Sequence, residues 1–139
     1  MLKYIDKIIG HESVKSIRNG ETEKLFAYYL KKNSDQVGDY ELIGSIQFGE
    51  GDKNRIFAES ISYNAFKDAY KELNADAVAI LHNHPKRLIA MKLSPSEDDI
   101  DCTFTFANFC VVHKMNFIDH IVVDYKNYFS FVENNLIEI

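Results

Sequence analysis

Apolar residues recur along the chain with two different periods, which together predict a mixture of strands and helices. Residues 24–32, KLFAYYLKK, are rich in β-favouring aromatic residues and are followed by the polar segment NSDQVGD and then by YELIGSIQF. This pattern predicts a β-hairpin. After a second turn, RIFAES at residues 55–60 is predicted to form a short strand. A closing hairpin is predicted at residues 117–133, with FIDHIVVD and YFSFVE as its strands and YKN as its turn.

Helical spacing is found in three segments. A short lead-in helix is expected within residues 10–20, with Gly20 as its C-cap. A second helix is expected to begin at Ser62 and to bury the stripe Phe66, Ala69, Tyr70 and Leu73. A third is expected from Ser96 to about Lys114, with an inner face made of Ile100, Thr103, Phe104, Ala107, Cys110 and Val111.

Between the second and third helices lies a short apolar run, ADAVAILHNH, at residues 75–84. An apolar run of this length that follows a helix is typical of a central strand covered on both faces. The predicted order is helix, hairpin, helix, strand, helix, hairpin. This order favours an α/β layer with a mostly antiparallel or mixed sheet and flanking helices.

Composition narrows the class of protein. A chain of 139 residues with 46% hydrophobic content predicts one domain with a substantial core. The formal net charge of −5 gives no overall basic field, so nucleic acid is not the expected partner, although a local basic patch remains open. Cys102 and Cys110 lie too far apart on a predicted helix to be bridged, and no apolar run approaches 20 residues. We therefore expect a soluble cytoplasmic protein with reduced cysteines and no membrane partner.

The end of the central strand carries two histidines one residue apart. Side chains at positions i and i+2 of a strand share a face, so His82 and His84 are expected to project together and Asn83 to project the other way. Two imidazoles can converge on one metal ion, and a catalytic zinc usually needs a third protein ligand, for which Asp99 is the best local candidate. The alternative is that both histidines are partly exposed loop residues.

The segment SPSEDD has two interpretations that are compatible with each other. Ser96 followed three residues later by Asp99 is nearly a capping box, and Glu97 and Asp98 suit the positive end of a helix dipole. A helix start is also rigid, so a carboxylate in its first turn can face a neighbouring strand end and serve chemistry there.

The motifs HNHP and PSEDD together resemble the metal signature of the JAB/MPN (JAMM) metalloprotease superfamily, and most closely its RadC branch. In that branch four motifs occur in a fixed order, which is an LNA helix end, HNHPSG, PS-x-x-D and a later DH. The present chain has ELNADAVAILHNHP, SPSEDDI, FIDHIVV and YFSF in the same order, over about residues 23–133. The resemblance implies a JAB/MPN-like (cytidine-deaminase-like) mixed sheet flanked by helices. It divides the chain into a lead-in segment, residues 1–22, and a RadC-like domain, residues 23–139.

The resemblance also implies a site. His82, His84 and Asp99 would hold a zinc ion with water as the fourth ligand, and zinc can lower the pKa of such a water to about 7. Ser96 would stabilise the oxyanion of a tetrahedral intermediate.

A glutamate near the start of the first hairpin strand would be the general base that takes the proton from this water. The matching residue is Glu23, and Glu21 is the alternative because it keeps the same strand register. From the residues alone, each would be interpreted as a surface charge. His120, within the DH pair, is expected to be a hydrogen-bonded strand residue and not a ligand.

The implied activity is zinc-dependent hydrolysis of a peptide or isopeptide bond in a peptide or protein substrate. Two alternatives stay open, a DNA repair or processing role of the RadC type and an inactive interaction module. Eleven residues, 85–95, separate His84 from Ser96, where the family usually has seven. Lys86 and Arg87 replace the expected SG, and the inserted LIAMK forms an apolar, basic lip that puts substrate selection in doubt. The sequence leaves the oligomeric state open.

Overall fold

The computed structural model describes residues 2–85 and 92–138. The described helices are α1 (Lys3–Ile9), α2 (Glu12–Ile17), α3 (Tyr63–Glu72) and α4 (Glu97–Val112), with a short 3-10 helix at Ala58–Ser60. The strands are β1 (Lys24–Lys32), β2 (Tyr40–Glu50), β3 (Ala77–Asn83), β4 (Phe117–Val123) and β5 (Tyr128–Ser130).

The strands form one five-stranded sheet in the order β2-β1-β3-β4-β5. Strand β1 runs antiparallel to β2 and β3, β3 runs parallel to β4, and β5 returns antiparallel to β4. The predicted α/β fold with a mixed sheet and flanking helices is confirmed.

Strand β3 lies at the centre of the sheet and is buried along its whole length, as its apolar run predicted. One of its faces, which includes Ala79 and Leu81, packs in a cluster with residues of α1 and α2. The opposite face, which includes Val78 and Ile80, packs with residues of α3 and α4. Because side chains alternate along a strand, His82 lies on the α3 and α4 side.

Three expectations about individual elements were wrong, and one helix was not expected. Leu73, which was expected in the buried stripe of α3, is 38% exposed. Residues 55–60 form no strand beyond a bridge between Gly51 and Ile56, and the 3-10 helix follows directly. Phe104 and Val111 are 57% and 77% exposed, whereas the buried stripe of α4 is made of Thr103, Phe106 and Cys110. Helix α4 is apolar on much of its circumference, so the sequence did not identify its inner face. Helix α1, which precedes the predicted lead-in helix, was not expected.

The carboxyl group of Asp119 connects helix α1 to strands β4 and β5 through hydrogen bonds. The Oδ2 atom of Asp119, on β4, accepts hydrogen bonds from the hydroxyls of Tyr4 at 2.8 Å and Ser130 at 2.6 Å. The backbone N–H of Val132 donates to the other oxygen at 3.2 Å. Loss of solvation outweighs these hydrogen bonds and raises the pKa of Asp119 to about 6. Residues of the lead-in segment thus belong to the core, while the domain division at residue 23 stays a prediction.

Because of Asp119, we expect the free energy of unfolding to fall as the pH rises from about 4 to about 6. The folded protein keeps this proton up to a pKa of about 6, whereas the unfolded chain releases it near 3.8, so the folded state binds more protons within this window. The difference corresponds to roughly 3 kcal/mol. Asp119→Asn should flatten this part of the pH profile, measured by chemical denaturation with a metal chelator present.

The matched control is Asp6→Asn, which changes an exposed carboxyl on α1. This variant should keep the slope of the wild-type profile. An Asp119→Asn profile with the wild-type slope would show that this carboxyl does not titrate as stated.

Among the described residues, no helix combines the length and the apolar character needed to cross a lipid bilayer.

Candidate metal centre

The two histidines lie at the end of β3, next to the beginning of β1. His82 pairs with Leu25 in the antiparallel register, and the backbone N–H of His84 donates to the carbonyl of Val123 at 2.7 Å. Glu23 immediately precedes β1, and its side chain reaches the same side of the sheet, with Oε1 3.8 Å from His82 Nε2. Glu23 is only 4% exposed, whereas Glu21 is exposed. Of the two candidate bases, Glu23 is therefore the one beside the histidines.

The N-terminus of α4 brings Asp99 to the same place. Ser96 caps this helix by accepting a hydrogen bond from the Asp99 backbone, and the Asp99 carboxylate accepts one from the Ser96 backbone, which completes a capping box. The same carboxylate lies 3.0 Å from Nε2 of His82 through Oδ1 and 3.0 Å from Nε2 of His84 through Oδ2. Capping and contact with the histidines therefore occur in one residue.

The donor atoms of this cluster suit a metal ion. Ligand atoms of Glu23, His82 and His84 all lie within 4.8 Å of one another. The Nε2 atom of His82 is buried and has no hydrogen-bond partner among the described residues, since Asp99 Oδ1 is close but poorly aligned. The imidazole nitrogens of His82 and His84 together with the carboxylate of Asp99 form a set of three protein ligands that catalytic zinc commonly takes. The residues present therefore fit zinc.

The two carboxyl groups of the cluster have opposite electrostatic environments. Burial raises the pKa of Glu23 to about 7, and Asp99 and Asp52 add to the rise while His82 opposes it. Burial acts on Asp99 too, but the imidazoles of His82 and His84, each 3.0 Å from its oxygens, outweigh it and hold the pKa of that carboxyl far below its usual range. Asp99 is therefore ionised, as a metal ligand must be, while Glu23 can exchange a proton near neutral pH.

The backbone around Glu23 is fixed by two sets of hydrogen bonds. Its own N–H donates to the Asp52 carbonyl at 2.8 Å, and its carbonyl accepts from the Gly51 N–H at 2.9 Å. A Cβ atom at position 51 would overlap the carbonyl oxygen of Arg55, so this close approach requires glycine. The turn after β2 therefore holds Glu23 in place.

The second set comes from Asn83, whose side chain lies on the face opposite to the histidines. Its Oδ1 accepts from the Lys24 N–H at 2.7 Å, and its Nδ2 donates to the carbonyls of Thr22 at 2.9 Å and Ile17 at 3.1 Å. Asn83 thus bonds the residues on both sides of Glu23. The middle residue of the HNH segment thus connects Glu23 to the strand that carries the histidines.

Asn83→Ala is expected to lower the free energy of unfolding by on the order of 3 kcal/mol, because three backbone groups lose their partner in a buried place. Chemical denaturation measures this change. The exposed residue Asn54 provides a control, since Asn54→Ala should leave stability nearly unchanged. A loss below about 1 kcal/mol in Asn83→Ala would contradict the role given to these hydrogen bonds.

The sequence analysis did not place His120 or Thr103 near the two histidines of the cluster. His120 is buried on β4 with Nε2 2.8 Å from Nδ1 of His82, and its Nδ1 lies 2.5 Å from Oγ1 of Thr103. Burial, followed by the charges of the neighbouring histidines, holds the pKa of His120 well below its usual value. The spacing of the sequence around the DH pair predicted a hydrogen-bonded strand residue at His120, and this prediction is confirmed. Nothing in the sequence indicated its partner.

The cluster opens into a cavity of about 670 Å³, a volume in the range of small-molecule and peptide sites. Its described walls include Ile56, Ile61, Tyr63 and Ser96. The predicted lip at residues 86–92 falls, except for Lys92, outside the described residues.

The mixed sheet, with a His-x-His strand end facing a capped helix start, defines an α/β domain of the JAB/MPN class. A family model described as "RadC-like JAB domain" matches residues 7–136, and the chain belongs to this family.

Several bacterial relatives carry the name UPF0758 protein. The relative from Fusobacterium nucleatum is 29% identical over 137 residues, which cover 99% of this chain and 50% of that protein. The relative from Lactococcus lactis is 32% identical over 122 residues, covering 86% and 47%. The chain thus spans about half the length of these relatives.

Proposed function

We propose that this protein is a zinc-dependent hydrolase of the JAMM type that cleaves a peptide or isopeptide bond. The observation that carries the proposal is the meeting of the Asp99 carboxylate with both imidazoles, at 3.0 Å each, beside a buried Glu23. Membership of the RadC-like JAB family supports the proposal without deciding it.

In the proposed site, His82, His84 and Asp99 hold the zinc ion. A bound zinc ion supplies Lewis acidity, which makes water a stronger nucleophile at neutral pH. Glu23 accepts the proton from the attacking water on its carboxylate and returns it to the leaving amine. A cation beside Glu23 would favour its ionised form and so lower its pKa from the metal-free value.

Ser96 has a separate part in the proposal. Its Oγ accepts the Asp99 N–H at 3.1 Å, so its own hydroxyl hydrogen can donate towards the cavity. Such a donor stabilises the oxyanion that forms when water attacks a carbonyl carbon.

The experiment has two parts. Protein purified without chelators should carry close to one zinc per chain by elemental analysis, and an unbiased library of peptides and isopeptide-linked peptides should yield cleavage that a chelator abolishes and added zinc restores. A chain that takes up no zinc would refute the proposal and favour the inactive interaction module. Zinc uptake without any cleavage across the library would show that peptide and isopeptide bonds are not the substrate of this protein.

The DNA alternative remains an untested prediction, and the formal net charge of −5 does not favour it. A salt titration with single-stranded and duplex DNA separates it from the hydrolase, because absence of affinity at low salt removes a DNA-binding role.

A further inference from the structure

A continuous chain of hydrogen bonds runs from the main chain of α4 to His82. The hydroxyl of Thr103 lies 2.7 Å from the carbonyl oxygen of Asp99 and 2.5 Å from Nδ1 of His120. The Nε2 atom of His120 lies 2.8 Å from Nδ1 of His82. Thr103, His120 and His82 are buried, with at most 2% of each residue exposed, so solvent does not take part.

The direction of this chain follows from its first member. A carbonyl oxygen only accepts, so the single hydroxyl hydrogen of Thr103 is donated to Asp99, as is common for threonine in a helix. The Thr103 oxygen therefore accepts in its second contact, and the hydrogen of that contact belongs to Nδ1 of His120.

The proton position on His120 determines which nitrogen of His82 donates. His120 is enclosed by protein and its ring is stacked on Phe131, with centroids 4.8 Å apart, an apolar setting that favours a neutral imidazole. A neutral imidazole with its hydrogen on Nδ1 has a lone pair on Nε2. His82 must then donate from Nδ1, which leaves a lone pair on its own Nε2, the atom that faces Glu23 and Asp99.

We propose that Thr103 and His120 are positioning residues, which fix the tautomer and ring orientation of His82 so that its Nε2 lone pair faces the metal site. The inference deepens the proposed function and rests on it. Partners of this kind normally come from a carboxylate, a carbonyl or water. Here the partner is a second, neutral histidine, whose direction is set by the carbonyl of Asp99, itself a proposed ligand.

The first test needs neither zinc nor a variant. Long-range ¹H–¹⁵N correlation of the histidine rings in the labelled full chain, with chelator and at a pH where His82 is neutral, reports which nitrogen carries hydrogen. We expect Nδ1–H for both His82 and His120. The hydrogen on Nε2 of His82 would overturn the inference. This spectrum is recorded on metal-free protein. It therefore shows the tautomer of His82 even if the protein proves not to bind zinc.

The second test uses variants of one side chain. Thr103→Val keeps the shape but removes the hydroxyl, so His120 loses its acceptor and both rings should become tautomer mixtures. Zinc affinity, measured by chelator competition, should fall by roughly 10–100-fold, the usual effect of removing such a partner. Thr103→Ser retains the hydroxyl and should restore both the spectrum and the affinity.

The matched control is Thr105→Val. Thr105 lies on the same helix, is exposed, and makes the same hydroxyl contact with a carbonyl one turn earlier, Asp101 O at 3.1 Å. It should leave the tautomers and the zinc affinity unchanged. Equal effects of Thr103→Val and Thr105→Val, or no change in Thr103→Val, would overturn the positioning role.

Discussion

Glu23→Gln is expected to reduce kcat/KM for amide cleavage by about 10²–10⁴-fold, the usual contribution of a general base. Glutamine keeps the size and hydrogen-bonding capacity of the side chain but cannot accept the proton from water. Zinc content should stay at the wild-type level, because the proposed ligands are His82, His84 and Asp99. The measurement is cleavage of whichever library peptide the wild type hydrolyses best, together with elemental analysis of both proteins.

Glu21→Gln is the matched control, since it makes the same chemical change at the exposed position two residues earlier. It should retain full activity. If instead Glu21→Gln lost activity and Glu23→Gln kept it, the roles of the two glutamates would be reversed. The thermal midpoint of Glu23→Gln should not fall, because burial of the Glu23 carboxyl already disfavours its charge.

Asp99→Asn is expected to weaken zinc binding by on the order of 10²–10³-fold. The apparent binding free energy of a structural zinc site is about 10–16 kcal/mol, which corresponds to roughly 2.5–4 kcal/mol for each of four ligands. The amide removes the charge that faces both imidazoles but can still accept the Ser96 N–H, so the helix cap is retained. Competition with a chelator of known affinity measures the change, and the zinc-induced rise in thermal midpoint should shrink accordingly.

Asp98→Asn tests whether charge near the helix N-terminus alone accounts for such an effect. Asp98 is exposed and lies one residue earlier in the same first turn, so its substitution changes the helix end by the same charge. It should alter zinc affinity only a few-fold. Wild-type affinity in Asp99→Asn would show that the carboxylate beside the histidines does not bind the ion.

Several parts of the fold could be predicted because they depend on short-range chemistry. The limits of β1 agree with the predicted strand at residues 24–32, and Ser62 caps α3 as expected. The capping box at Ser96 was visible in four consecutive residues. His82 and Asn83 project to opposite faces because side chains alternate along any strand. The resemblance to the RadC branch predicted the family, and the comparison with known proteins confirmed it.

Other features depended on packing between distant segments and were mispredicted or missed. The exposed positions of Phe104 and Val111 follow from which stripe of α4 meets the sheet, and a helix that is apolar on most sides does not reveal this. Helix α1 becomes stable through its contacts with the core and with Asp119, 115 positions away from Tyr4.

The sequence by itself determined the strand periodicity that aligns the two histidines and the local cap that makes Asp99 rigid. Only the tertiary structure decided that the Asp99 carboxylate touches both imidazoles, that Glu23 is buried while Glu21 is exposed, and that His120 contacts His82. The physical reason is that periodicity and capping act within a few residues of chain. Convergence of side chains requires α4, β3, β4 and the start of β1 to pack together.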